Sequence, residues 1–210
     1  MPTKYEWRKK EKELYLPKAQ PMVLDVPEFK FLTLGGEGSP ENQFFSDVVG
    51  TLYSLSYGVK MLPKKMTTQP KGYFDYTVYP LEGVWDINDD AKKVFDGTVK
   101  KEDFVYQMMI RQPDFLDNNL YFEVFDAVKN KKSNPLLECV EFKTISEGKC
   151  IQMLHLGPYE NEPVSFIQME AFAASQGLER VSKLHREIYL SDARKVAPEK
   201  LKTVLRFSAK

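Results

Sequence analysis

Hydrophobic and polar positions along this chain alternate with two different periods, and their order predicts its secondary structure. Period-two alternation predicts strands over 29–34, 73–81, 104–111, 184–191 and 203–207, and a hairpin over 138–144 and 150–156. Apolar residues with a helical period predict three helices, over 40–62, 113–131 and 160–176. This mixture of strands and helices predicts an α+β fold with antiparallel sheets.

The first helix has the clearest signals. Ser39, Pro40 and Glu41 provide an N-cap, a proline at the first helical position and an acid in the first turn. Its predicted buried stripe consists of Phe45, Val48, Val49, Leu52, Leu55 and Val59. Tyr53 and Tyr57 are four residues apart, so they share a second face.

The order strand-helix-strand-strand occurs twice, over 29–111 and 149–208, with a further helix and strand over 113–146. The two halves share no matching sequence, so the expected repeat is one of architecture alone. Two such units usually place their helices on one sheet face and leave a ligand pocket between the halves. Residues 1–28 are charged and rich in proline, and we expect an N-terminal arm over a single domain, 29–210.

Composition and charge narrow the possible functions. Lys and Arg together number 30, as do Asp and Glu, so the net charge is zero and indicates no nucleic-acid partner. A membrane span of about 18 apolar residues and a signal-peptide core are both missing, which favours a soluble, cytoplasmic protein. Two distant histidines without clustered cysteines predict no metal site. The aromatic share of 13% indicates an aromatic-lined pocket or simply additional packing.

One strand carries the strongest candidate for chemistry. Alternation over 184–191 places His185, Glu187 and Tyr189 on one face, while Ile188 and Leu190, on the other, suit packing under the helices. A mid-strand carboxylate between two rings would be partly desolvated, which raises its pKa and makes it a base or a cation-binding group. An acid paired with Lys or Arg on an exposed face explains the pattern equally well.

Several segments carry a family resemblance when they are read in order. The downstream segments are His155–Glu160, Glu187–Asp192 and Pro198–Leu205, and the upstream ones are Val26–Leu32, Gly36–Gly38 and Leu52–Tyr57 with Lys60-Met61. Together, over about residues 22–207, they resemble the GyrI-like small-molecule-binding family, whose members include drug-sensing domains of transcription activators and a DNA gyrase inhibitor. The upstream segments resemble its stand-alone branch.

The resemblance implies two β-α-β-β units of the SHS2 type, related by a pseudo-twofold axis, around an aromatic pocket with one buried glutamate. By motif position that glutamate is Glu187, which in the drug-sensing relatives attracts lipophilic cations. The stand-alone branch is similar to cyclopropanoid cyclopropyl hydrolases, which add water to the cyclopropane of DNA-alkylating natural products. The DNA-binding segment of the activators is missing from this sequence, so a sensor role receives less support.

In a hydrolase of this kind, Glu187 would be the base and Trp85 would stack on the flat ligand. A tyrosine hydroxyl, from Tyr53, Tyr57 or Tyr106, would donate to the developing phenolate, and of these Tyr106 is the expected catalytic residue. The other expected ligand-binding residues are Tyr53, Tyr57, Met108, His155, His185 and Tyr189. Ordinary packing also explains Trp85 and the tyrosines, and a satisfied backbone group explains His155.

Two functions therefore stay open. One is cofactor-independent hydrolysis of a cyclopropane or a similarly strained electrophile, which would detoxify xenobiotics. The other is a non-catalytic module that binds or senses aromatic, lipophilic or cationic small molecules. Inhibition of gyrase is disfavoured because the chain has no acidic excess.

Overall fold

Antiparallel strands and amphipathic helices form an α+β fold in the computed structural model, which describes residues 4–94, 96 and 98–210. The helices are α1 (Trp7–Lys10), α2 (Lys12–Tyr15), α3 (Gln43–Met61), α4 (Asp89–Lys93), α5 (Asn118–Lys129) and α6 (Glu162–Ser175). The strands are β1 (Met22–Val26), β2 (Phe29–Glu37), β3 (Leu81–Ile87), β4 (Phe104–Arg111), β5 (Glu141–Ile145), β6 (Gly148–Leu156), β7 (His185–Tyr189) and β8 (Lys202–Ser208). The fold class and the antiparallel pairing are thereby confirmed.

The chain divides into two compact units. Unit 1 contains residues 4–6, Phe29–Tyr79 and Ile87–Ile145, and unit 2 contains Trp7–Glu28, Pro80–Asp86 and Ser146–Lys210. The first three residues of the expected arm, and Phe95 and Gly97 of the first expected repeat, lie outside the described residues. The two-repeat organisation and its pseudo-twofold axis stay predictions. Among the described residues, the helices are too short or too polar to cross a bilayer.

Unit 1 packs α3 against a sheet in which β2 pairs with both β4 and β5. Much of the predicted stripe of α3 is confirmed, since Val48, Leu52, Leu55 and Val59 are fully buried. α5 packs against the same helix at Gly58, where an added Cβ would lie 2.6 Å from a Val124 methyl carbon. A small residue is therefore needed where these two helices meet.

Unit 2 contains the strand order β1-β6-β8-β7-β3, with every neighbouring pair antiparallel. On one face α6 buries Met169 and Ala173 against a cluster completed by Ile151, Met153, Leu205, Phe207 and Ala209. On the other face, Arg206 donates to the Leu14 carbonyl oxygen of α2 at 2.9 Å. The sheet of unit 2 is therefore covered on both faces.

The opposite face of this sheet also holds a buried network of charges. Arg186 donates to Glu82 at 2.7 Å and lies 3.0 Å from Glu147. Arg206 donates to Glu147 at 3.0 Å and to Gln152 at 2.9 Å. Two guanidinium groups and two carboxylates balance in charge, which is the condition under which buried ions are tolerated.

The sequence-based boundaries need three corrections. The strand predicted over 73–81 is wrong, because residues 73–80 are irregular apart from a bridge between Tyr76 and Tyr5, and β3 starts only at Leu81. Aromatic side chains from this segment pack on Phe115, so their alternation reflects core packing rather than a strand. The hairpin predicted over 138–156 is also wrong: β5 pairs with β2, while β6 pairs with β1 and β8.

Helix starts are the third difference. α3 begins after a turn in which the Asn42 amide donates to the Ser39 carbonyl oxygen, so the helix starts three residues later than predicted. α5 begins after Asp117, whose side chain accepts from the Leu120 amide at 2.9 Å. The predicted end of α6 is confirmed, since Gly177 follows it with a φ of 70°.

Candidate functional site

Glu187 lies in the middle of β7, with Leu205 of β8 on one side and Gly83 of β3 on the other. Cross-strand partners share a face, and Leu205 belongs to the cluster under α6, so Glu187 points toward α6. The prediction that Ile188 faces the helices and Glu187 faces away is therefore wrong. Glu187 is only 8% exposed, which makes it a buried carboxylate.

A second carboxyl group, Glu162, meets Glu187 from the first turn of α6. Glu162 is 6% exposed, and burial together with the charge of Glu187 raises its pKa to about 10. At neutral pH Glu162 therefore keeps its proton and donates a hydrogen bond to Glu187. Two carboxyl groups therefore meet in one buried place, and the one on α6 carries the proton of the hydrogen bond between them.

Glu162 was missed at the sequence level, although a signal for it exists. The buried positions of α6 are Glu162, Ser165, Met169 and Ala173, which follow a helical period. Glu162 therefore occupies the inward stripe of its helix. An acid on an inward stripe is a candidate for a perturbed carboxyl group, but acids in first helical turns are common for electrostatic reasons.

Trp85 and Tyr189 reach Glu187 through a chain of hydrogen bonds. The Trp85 indole Nε1 donates to the Tyr189 hydroxyl at 2.7 Å, and that hydroxyl hydrogen-bonds Glu187. An indole can only donate, so the single Tyr189 proton is directed at the carboxylate. Burial and the nearby carboxylate raise the pKa of Tyr189 well above its usual value, which keeps it a neutral donor.

The Trp85–Tyr189 contact passes over Gly83. Trp85 lies opposite His185, and Glu187 lies opposite Gly83, so Trp85 and Tyr189 are offset by four residues along the strands. Four strand residues span roughly 13 Å, and a 2.7 Å contact therefore requires both side chains to lean over the Gly83–Glu187 position. Residue 83 is a glycine, so it places no side chain between Trp85 and Tyr189.

The two histidines have different surroundings. His185 Nε2 lies 3.1 Å from Glu187 Oε1, and its ring is edge-on to Phe166 with centroids 4.7 Å apart. His155 Nε2 lies 3.0 Å from the Pro158 carbonyl oxygen and Nδ1 lies 2.9 Å from Ser165 Oγ. A carbonyl only accepts, so Nε2 carries the proton and Nδ1 accepts from the serine. His155 thus ties the end of β6 to the first turns of α6.

Further aromatic rings surround this site. The Tyr159 ring lies edge-on to Tyr189 with centroids 6.3 Å apart, and burial raises the pKa of Tyr159 to about 12. With Phe166 and Trp85, these rings place Glu187 in an aromatic environment in unit 2. Tyr159 is 36% exposed, whereas Phe166 and Tyr189 are partly buried and Trp85 is buried, so Tyr159 is the ring most open to solvent.

The other candidates belong to unit 1. Tyr106 and Met108 are buried on β4, and the Tyr106 ring lies over Gly36 and edge-on to Phe45. Tyr53 and Tyr57 are on α3 with ring centroids 6.4 Å apart, and Tyr57 is 53% exposed. The structure therefore brings together Trp85, His185, Glu187 and Tyr189, adds Glu162, Tyr159 and Phe166, and places His155 at the base of α6.

This arrangement offers acid–base chemistry and cation binding. Glu187 can accept a proton, Glu162 can supply one, and the rings can contact a flat or cationic ligand. Glu162, His185 and Glu187 also each offer one possible metal-ligand atom, and these atoms lie within 4.8 Å of one another.

Comparison with known proteins identifies a family and several solved structures that are similar to this chain. Residues 19–209 match the family described as the GyrI-like small molecule binding domain. Two crystal structures of a hydrolase from Listeria innocua are 32% and 33% identical, with TM-scores of 0.87 and 0.88, and each comparison covers 99% of this chain and 100% of the other. The EcmrR C-terminal domain shares the fold at 12% identity, with a TM-score of 0.54 over 91% of this chain and 97% of that one.

No curated protein matches the chain. The family match nevertheless extends over almost all of its length and includes both the α6 carboxyl group and the β7 strand. The chain therefore belongs to the GyrI-like small-molecule-binding domain family.

Proposed function

We propose that this protein binds a flat aromatic or lipophilic molecule beside Glu187 and adds water to a strained cyclopropane in it, as cyclopropanoid cyclopropyl hydrolases do. The observation that carries the proposal is the buried Glu187–Glu162 pair with its directed tyrosine proton. In this role the protein would detoxify xenobiotics in the cytoplasm without a cofactor.

The reaction needs a base, and Glu187 suits that role. Glu162 and Tyr189 are neutral donors that form hydrogen bonds to its oxygens and hold the carboxylate in place. Because both donors are neutral, neither forms an ion pair with Glu187. A water molecule beside Glu187 would lose its proton to the carboxylate as its oxygen bonds to the ring carbon. The cyclopropane C–C bond then breaks, and its electron pair moves into the conjugated carbonyl to give a phenolate.

A proton then passes to the phenolate, and Glu187 releases the proton that it took from the water, so that the net change is the addition of one water. Tyr106 is our candidate for the hydroxyl that donates to this oxygen, and Tyr106→Phe removes that hydroxyl while keeping the ring. Trp85 supports the base in this proposal, because its indole N–H holds Tyr189 in the orientation that donates to Glu187. The Listeria hydrolases, at about one-third identity over nearly the whole chain, support hydrolysis as the reaction class.

A non-catalytic drug-binding module is the second candidate. It is favoured by the rings of Trp85, Tyr159, Phe166 and Tyr189 around one buried carboxylate, an arrangement that attracts organic cations through both charge and ring faces. Both candidates use Glu187, but only hydrolysis consumes the ligand.

Incubation with a duocarmycin-type cyclopropane compound, followed by liquid chromatography and mass spectrometry, separates the two. The hydrolase predicts a product heavier by one water, and Glu187→Gln should lower the rate roughly 10²–10⁴-fold. Glu141→Gln, an exposed strand glutamate, is the matched control and should keep full activity. Unchanged compound at high protein concentration would refute hydrolysis, and ligand binding lost only in Glu187→Gln would favour the binding module.

A further inference from the structure

We propose that Glu162, His185 and Glu187 bind a divalent transition-metal ion of the zinc class. The proposal concerns binding and does not depend on the hydrolysis proposed above. It uses two carboxylates and one imidazole that come from two elements, the first turn of α6 and the strand β7.

The geometry of the three side chains is close to that of a metal site. Tetrahedral zinc, with bonds of about 2.0–2.1 Å, places its ligand atoms roughly 3.3 Å apart. His185 Nε2 and Glu187 Oε1 are already 3.1 Å apart, and all three ligand atoms lie within 4.8 Å of one another. The widest pair therefore has to close by at most about 1.5 Å, which rotation of the glutamate side chains provides.

A second observation is a buried oxygen of Glu162. The Oε1 atom of Glu162 is buried and receives no hydrogen bond from any donor among the described residues. Two facing carboxyl groups need either a shared proton or a cation between them, and a divalent ion would satisfy both at once.

The donor set indicates which ion fits. An imidazole with carboxylate oxygens is a typical ligand set for zinc, whereas calcium and magnesium favour six or more oxygen ligands. Three protein ligands also leave a fourth position open, as in zinc sites that bind water or a substrate. Two carboxylates balance the charge of a divalent ion, so the neutral complex suits a buried position.

Metal binding would change how the site works. The ion would occupy the oxygens of Glu187 that the proposed hydrolysis uses as a base, and it would displace the proton of Glu162. Bound metal should therefore slow cyclopropane hydrolysis, if that activity is present, without altering the fold.

The test uses the full-length chain without an affinity tag, stripped with EDTA and carrying Cys139→Ser, because the exposed Cys139 thiol would itself bind zinc. Titration with Zn²⁺ alone, followed by calorimetry and native mass spectrometry, should show one ion per chain. His185→Gln and Glu162→Gln should each weaken binding more than about 10-fold. Glu141→Gln, an exposed strand glutamate, should leave the affinity unchanged.

Other outcomes overturn the proposal. No bound zinc in the parent protein, or unchanged affinity in both ligand variants, would show that the two carboxyl groups share only a proton. Circular dichroism checks that the variants are folded. If one of them does not fold, X-ray absorption of the zinc-loaded parent protein decides, because the proposal requires one imidazole nitrogen and carboxylate oxygens around the ion and excludes sulfur.

Discussion

Gly36 is expected to tolerate no side chain, because the Tyr106 ring lies directly over it. A Cβ at residue 36 would lie 2.5 Å from Tyr106 Cε2 and 2.6 Å from Cζ and Oη. Ordinary contacts begin near 3.4 Å, so in Gly36→Ala the ring has to move by roughly 1 Å. The ring is buried and edge-on to Phe45, with centroids 5.1 Å apart, so this movement disturbs a packed core.

Overpacking of this kind costs about 1–3 kcal/mol, which includes any loss of the Tyr106–Phe45 ring contact. For a chain of this size, that corresponds to a fall in Tm of roughly 2–12 °C. Gly35→Ala is the matched control, because a Cβ there would lie an ordinary 3.8 Å from the Tyr106 carbonyl oxygen. Neither glycine has a positive φ, so backbone strain does not separate the two variants.

Urea unfolding followed by circular dichroism measures both variants. We expect Gly36→Ala to be destabilised and Gly35→Ala to be unchanged or stabilised by about 0.4–1 kcal/mol. In a Tyr106→Leu background the cost of Gly36→Ala should largely disappear, since the obstructing ring is gone. Equal stability of the two alanine variants, or an undiminished cost in the Tyr106→Leu background, would refute the reasoning.

Three further expectations concern unit 2. Arg186→Leu leaves the buried Glu82 without its 2.7 Å partner and should lower the free energy of unfolding, measured in urea, by about 3–5 kcal/mol. Adding Glu82→Leu should restore most of that stability. A double variant as unstable as Arg186→Leu alone would contradict the expectation. Burial raises the pKa of Cys150 to about 11, so a disulfide reagent at pH 8 should label only the exposed Cys139 in the native protein and both thiols after unfolding; two fast thiols in the native state would be inconsistent with this. The pKa of Glu162 is raised from 4.5 to about 10, so in EDTA the stability of the native protein should fall as pH rises between these values. The stability of Glu162→Gln relative to the parent should therefore increase from pH 5 to 9. A stability difference that stays constant over this range argues against the buried proton.

Local patterns in the sequence predicted several elements accurately. The strand over 104–111 matches β4 at both ends, and the stripe of α3 is buried at Val48, Leu52, Leu55 and Val59. Gly177 ends α6 in a left-handed conformation. These features depend on residues close together in the chain, where side-chain periodicity and backbone preference act directly.

The pairing partner of each strand, and the sheet face that meets each helix, could not be derived in the same way. Alternation correctly grouped His185 with Glu187 and Tyr189, but it could not show which face meets α6, because Arg186 and Ile188 on the other face are buried too. Arg186 is paired there with the carboxylates of Glu82 and Glu147, and the sequence of one strand does not indicate these partners. The pairing of β5 with β2 likewise depends on strands more than a hundred residues apart.

By itself, then, the sequence determined that Glu187 lies in mid-strand between two aromatic residues and that the chain resembles a small-molecule-binding family. Only the tertiary structure decided that α6 delivers a second carboxyl group to it, and that Trp85 reaches it through Tyr189 over Gly83. The reason is physical. The hydrogen bonds of a side chain depend on the groups packed around it. For Glu187 the second carboxyl group comes from another element, α6, and the indole that orients Tyr189 comes from β3, 104 residues away in the chain.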